Sequence, residues 1–209
     1  QELNKSRKID PKAYEAYLKG KYYWEKLDYD SMQKALEYFQ EAIDIEPEWS
    51  DPYAGLANSW SMFSTFLKIM PRDETEPRVK MYQEKALELD PESDQVHYVK
   101  ALYYGWNSFT WEESEKEFLK TIELNPNHAL ARMYYSHLLC ITNRTEEAEV
   151  QANIAVQLDP FKPLVLWLHG NVMYFVGKDQ DALKSWVKAE TVDPNYPFPR
   201  SAIFNYNMD

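Results

Sequence analysis

The sequence predicts an all-α fold, an array of stacked helix-turn-helix units, and three observations carry that reading. Six phrases, each an aliphatic residue followed by Asp, Glu or Asn and then proline, recur at Pro11, Pro47, Pro91, Pro126, Pro160 and Pro194. The prolines step by 36, 44, 35, 34 and 34 residues, and a fixed period near ~34 marks a repeat architecture of helical pairs. Small and aromatic residues recur at constant offsets before these prolines. Finally, 5 glycines against 15% aromatic residues suit packed helices rather than a turn-rich β-sandwich.

Proline cannot continue a helix and restricts the residue before it, so each Asp-Pro or Asn-Pro closes one unit and opens the next. The acidic or amide side chain ahead of it can hold the turn by bonding nearby backbone. Twelve, eight and five residues before the proline lies the contact stripe of a second helix. It reads Ala35, Phe39, Ala42 before Pro47; Val79, Gln83, Ala86 before Pro91; and Ser114, Phe118, Thr121 before Pro126. Before Pro160 it is Ala148, Ala152, Ala155, and before Pro194 it is Ala182, Trp186, Ala189. Spacings of four and three put each set on one helical face, where small residues let axes approach and the aromatic fills the gap. A first helix follows each proline, most clearly at Tyr53, Leu56, Ala57 and Trp60.

On these residues the chain resembles the tetratricopeptide-repeat (TPR) family over about residues 12–194, which implies a right-handed α-solenoid. The expected organisation is a linker end at 1–11 and a single domain at 12–209. Its units are 12–47, 48–91 with a ten-residue insertion, 92–126, 127–160 and 161–194, then a capping or truncated helix at 195–209. Two extra residues in the first unit are expected in the turn around Leu27-Asp28-Tyr29-Asp30, and the insertion at 66–78 as a projecting loop, or an overlong first helix plus loop.

The charge is −11, from 34 acidic and 23 basic residues, which argues against a primary role on nucleic acid. No apolar run reaches the ~18–20 residues that cross a bilayer, so no membrane insertion is expected. The single cysteine, Cys140, excludes an internal disulfide or cysteine zinc site and reads as a buried small hydrophobe. The four histidines, His97, His128, His137 and His169, show no ligand spacing, and no phosphate loop or nucleophile elbow occurs. Neither catalysis nor a cofactor or metal is expected. Asn4-Lys-Ser6 and Asn143-Arg-Thr145 match the glycosylation sequon but carry no weight at three residues.

In the family, first-helix residues that point away from the stacking seam line a concave, peptide-receiving groove. Carried onto this chain, those positions include Asn58, Met62, Tyr98, Trp106, Met133, His137, Trp167, Asn171 and Tyr174. The set implies a grip on apolar peptide side chains, with Asn58, His137 and Asn171 available to bond peptide backbone. The same large residues can instead pack within the array, Trp106 and Trp167 included. The basic residues of the family's carboxylate clamp are absent from these positions, so recognition of an acidic tail is not expected.

Residues 13–24, 35–47 and 53–57 are also similar to the TPR regions of bacterial winged-helix regulators, adenylate-cyclase-like proteins and some Ser/Thr kinases. That likeness implies the regulatory part of a larger bacterial signalling protein. The expected partner is an apolar-rich protein or peptide, and the expected compartment cytoplasmic, with periplasmic as the alternative. Self-association through the insertion or the last helix is the competing reading, and small-ligand sensing a third.

Overall fold

A computed structural model of the chain describes residues 8–206, which hold eleven α-helices. Residues 1–7 of the expected linker end, the first sequon, and 207–209 of the expected terminal helix lie outside the described residues. The chain divides into two compact units, one ending at Ser108 and one beginning at Phe109. The expected repeat at 92–126 gives one helix to each.

The first unit contains α1 (Pro11–Trp24), α2 (Tyr29–Ile45), α3 (Ser50–Thr65), α4 (Arg72–Leu89) and α5 (Asp94–Tyr103). A π-helical turn at Tyr104–Ser108 follows α5. Helix α1 pairs with α2 and α3 with α4, while α3 also packs on α2 and α5. The second unit contains α6 (Trp111–Leu124), α7 (Ala129–Ile141), α8 (Thr145–Leu158), α9 (Pro163–Phe175), α10 (Asp179–Val192) and α11 (Pro197–Tyr206). There α7 pairs with α8 and α9 with α10, and α11 packs on α10.

The proline turns are built as their chemistry requires. Asp10, Asp90, Asn125 and Asp193 each accept, through the side-chain oxygen, the N–H two residues on, at 2.8–3.1 Å. The carbonyls of Glu46, Asp90, Asn125 and Asp193 accept the N–H three residues on, which closes a β-turn with proline second. A further regularity joins the turns to the helices that follow them. The residue six after the proline caps the proline carbonyl through Tyr53 Oη (3.0 Å), His97 Nε2 (2.9 Å), Arg132 Nε (3.0 Å) and Arg200 Nη2 (3.4 Å). Leu166 holds that position after Pro160 and has no donor to offer. Three donor types make the same bond, so residue identity concealed it.

The contact stripes are buried as the offsets predict, with Gln83 alone half-buried, and every alanine in them is fully enclosed. Phe39 of α2 lies against Gly20 of α1 and Gly55 of α3. A methyl group on either glycine would come within 2.6–2.7 Å of the ring. Trp186 of α10 seats in the same way on Gly170 of α9.

Both irregular regions differ from expectation. Helix α2 begins at Tyr29, so the extra residues of the first unit lengthen a helix rather than its turn, which covers 25–28. Only 66–71 of the insertion form a loop; from Arg72 the chain is the start of an 18-residue α4. This extension does not project. Thr75 is buried and donates to Ser64 Oγ at 2.9 Å, Glu76 accepts from Tyr103 Oη at 2.9 Å, and the Arg78 guanidinium lies 4.1 Å from the centre of the Trp60 ring. Three side chains bind it to α3 and α5, so a second-helix extension is stable despite Pro77 inside it.

Adding one methyl at Gly20 or Gly55 forces Phe39 to move within a close-packed site. Alanine gains up to about 1 kcal/mol in helix propensity, and overpacking costs about 1–3 kcal/mol. Gly55→Ala is therefore expected to lower stability by ~1–2 kcal/mol in urea unfolding, and Phe39→Leu in that background to recover part of it. Equal stability of Gly55→Ala and the parent chain would disprove the contact.

Candidate functional site

Each unit presents its own face of first helices. In the first unit, Asn58 is only 7% exposed and Tyr98 2%, so neither offers surface to a partner. Met62 and Trp106 are half-buried. Trp106 stands in the π-helical turn, which is fixed to α3 by a buried hydrogen bond from Ser61 Oγ to Asn107 Oδ1 of 2.7 Å. Half-exposed apolar residues here include Leu18 and Tyr22 of α1. They stand seven and eleven residues after Pro11, the same offsets that selected the other groove positions from Pro47 onward. Applying the offsets to the first proline would have found them.

In the second unit the expected residues divide between core and surface. Met133 is 0% exposed. His137 accepts or donates only inward: its Nδ1 lies 2.9 Å from the Met133 carbonyl, its Nε2 is buried without a partner among the described residues, and burial lowers its pKa. Asn171 gives its Oδ1 to the Trp186 indole N–H at 3.1 Å, a donor shared with the Trp167 carbonyl at 3.2 Å. The expected backbone-bonding trio of Asn58, His137 and Asn171 is thus corrected. Asn58 is enclosed, His137 is half-buried with its Nε2 covered, and Asn171 spends its oxygen on holding an internal tryptophan. Trp167 is half-buried and stacks on Phe198 of α11 at 4.7 Å. Tyr174 on α9 and Ile141 on α7 are each 47% exposed.

The second unit also holds a cluster that the sequence did not disclose. His169 of α9 places Nδ1 2.8 Å from Ser185 Oγ of α10 and Nε2 3.1 Å from Asn153 Oδ1 of α8. Burial is the main cause that lowers its pKa to about 4, so the ring is neutral near pH 7. Ser185 also donates to the Asp181 carbonyl at 3.0 Å. These residue types occur in acyl-transfer sites, yet here the imidazole is 7% exposed and joins three helices. Its arrangement is that of a clamp. Cys140 is buried, and burial pushes its thiol up to about 11, away from the thiolate that would react. Among the described residues no group of His, Cys, Asp and Glu could hold a metal ion, and no helix is long and apolar enough to cross a membrane.

Solved TPR structures resemble this geometry. TTC0263, a thermophilic TPR protein in Thermus thermophilus, aligns with 94% of this chain and 100% of its own, with a TM-score of 0.70 and 14% identity. YrrB, a TPR protein with an unusual peptide-binding site, aligns with 93% of this chain and 91% of its own, at a TM-score of 0.52 and 18% identity. The first TPR of Spaghetti (RPAP3), bound to the HSP90 peptide SRMEEVD, covers 57% of this chain and 94% of its own, at a TM-score of 0.51 and 16% identity. No protein-family model matches the sequence, and no curated protein matches it. At these identities the likeness is one of fold: the chain is all-α and carries the TPR fold.

The buried imidazoles set a pH dependence. The folded pKa of His169 lies below the unfolded value of 6.5, so the neutral ring favours the folded state. That contribution is complete above ~6.5 and is lost as pH falls toward 4; His137 acts in the same direction. Thermal midpoints are expected to fall between pH 7 and pH 4.5, with a shallower fall in His169→Gln. Identical profiles for the two proteins would refute the assignment.

Proposed function

We propose that this chain is a protein-interaction module that takes a peptide, or an extended segment of a partner domain, on the faces of its first helices. The observation that carries the reading is the partly exposed apolar set Ile141, Trp167 and Tyr174 on α7 and α9. Ile141 and Tyr174 are each 47% exposed, and Trp167 is half-buried with one face against Phe198 of α11. Large apolar groups at a first-helix surface, without a basic clamp beside them, fit apolar side chains of an extended peptide. Two proteins of this fold, YrrB and the first TPR of Spaghetti, are described with a peptide-binding site or a bound peptide, which supports the same reading.

The finer assignment rests on the likeness of 13–24, 35–47 and 53–57 to bacterial regulators: the module is the regulatory part of a larger cytoplasmic signalling protein. The negative charge disfavours nucleic acid as its partner.

An array of random 12-residue peptides probed with the labelled chain tests the proposal. Bound peptides are expected to be enriched in aromatic and aliphatic residues. Trp167→Ala with Tyr174→Ala should weaken the best of them at least about tenfold, the loss of two apolar anchors, at unchanged helicity by circular dichroism. Wild-type affinity in that variant, or an affinity loss that only follows unfolding, would overturn the reading. Light scattering that shows growth in mass with concentration would favour self-association instead.

A further inference from the structure

Helix α11 reaches both tryptophans of the α9–α10 pair. Its Phe198 stacks on Trp167 with ring centres 4.7 Å apart and planes 27° from parallel. Two turns on, Tyr206 meets the Trp186 ring at 6.3 Å, and Tyr174 of α9 meets the same ring at 6.0 Å. α11 therefore rests on the residues proposed above to grip a peptide.

It fits that ground loosely. Of its ten residues only Pro199 is buried, whereas every other helix of the second unit buries at least three. Phe204 is left 62% exposed. It stands ten residues after its proline, where Ala57, Ala101, Ser136 and Gly170 follow theirs and are all buried. A small residue there admits a second helix, as Gly170 admits Trp186, and phenylalanine does not. The charged tie of α11, from Arg200 Nε to Glu190 at 3.0 Å, joins side chains 70% and 34% exposed. Exposed pairs contribute little, and segments with few buried contacts open at small cost.

The chemistry of this occupant matches that of the surface beneath it. Helices α7 and α9 carry no acidic side chain, and their one permanent charge, Arg132, is turned to the Pro126 carbonyl and to Gln151. Residues 195–206 also lack acidic side chains, and they bring Tyr196, Phe198, Ile203, Phe204 and Tyr206. Burying a carboxylate against an uncharged apolar surface is costly, so such a face selects apolar, acid-free segments.

We infer that the face of α9 and α10 binds an aromatic, acid-free segment of a partner, and that α11 is a resident stand-in which this segment displaces. Partner affinity is then reduced to the fraction of molecules in which α11 is open. The inference rests on the reading that the second unit binds peptides, and it adds the kind of segment and the regulation of the site.

The probe is a fluorescein-labelled peptide of residues 195–206, titrated with the whole chain in fluorescence anisotropy. Phe198→Ala in the chain weakens the resident helix and is expected to bind the peptide about tenfold more tightly than wild type. Trp167→Ala added to that variant should remove the gain. Arg200→Glu touches neither tryptophan, sets a like charge beside Glu190, and should raise peptide affinity about two- to fivefold. A peptide with Ile203→Glu should bind the Phe198→Ala chain at least about tenfold more weakly. Equal affinity of wild type, Phe198→Ala and Arg200→Glu overturns the inference, as does a gain that survives Trp167→Ala. Array peptides that still depend on Trp167 and Tyr174 would then leave α11 a fixed cap and the broader reading intact. If Phe198→Ala shows no cooperative urea transition, Arg200→Glu decides alone. An array with no bound peptide for wild type or either variant overturns both.

Discussion

The contact of Phe39 with Gly20 and Gly55 is the constraint on which the first unit depends. A helical hairpin leaves one apolar stripe uncovered, and only a neighbouring hairpin can cover it. The aromatic ring of a second helix supplies the volume between hairpins, and the first helices on either side must make room for it. Glycine costs helix propensity but is the only residue without a β-carbon to obstruct the ring. Trp186 against Gly170 repeats the arrangement in the second unit with a larger ring, and the indole N–H then needs a partner. The Trp167 carbonyl and Asn171 provide it, so an amide that its offset would assign to a partner peptide is committed to packing instead.

The same logic separates structural from functional polarity. Most inward polar groups serve the scaffold. Ser61 and Asn107 fix the π-helical turn, Thr75 and Glu76 anchor the α4 extension, and His169 joins three helices. Asp51 accepts the Ser93 and Ser50 hydroxyls and so ties the start of α3 to the start of α5.

The repeat organisation was legible because its elements are local. A proline turn needs Asp or Asn before it, and a helix stripe needs small residues at spacings of three and four; both follow from backbone geometry and can be read as offsets. The candidate site was legible only in outline. Tyr98, Met133 and Trp167 each stand seven residues after their proline, yet the first two are enclosed and the third is half-buried. Exposure depends on the size of the neighbours on adjacent helices, which no single offset encodes. The insertion was misread for a related reason. Two prolines and many charges suggest a loop, but Thr75, Glu76 and Arg78 reach partners on α3 and α5 that are distant in sequence.

The sequence by itself determined the all-α fold, the positions of the proline turns and the buried second-helix stripes. Each of these is set by steric and hydrogen-bonding rules acting within about one helical turn. Tertiary structure alone decided which first-helix residues remain at the surface and which donors cap the proline carbonyls. It also brought Asp51 and Ser93, 42 positions apart, into one hydrogen bond. Side-chain desolvation and charge balance are properties of a surrounding volume, and only the folded chain assembles that volume.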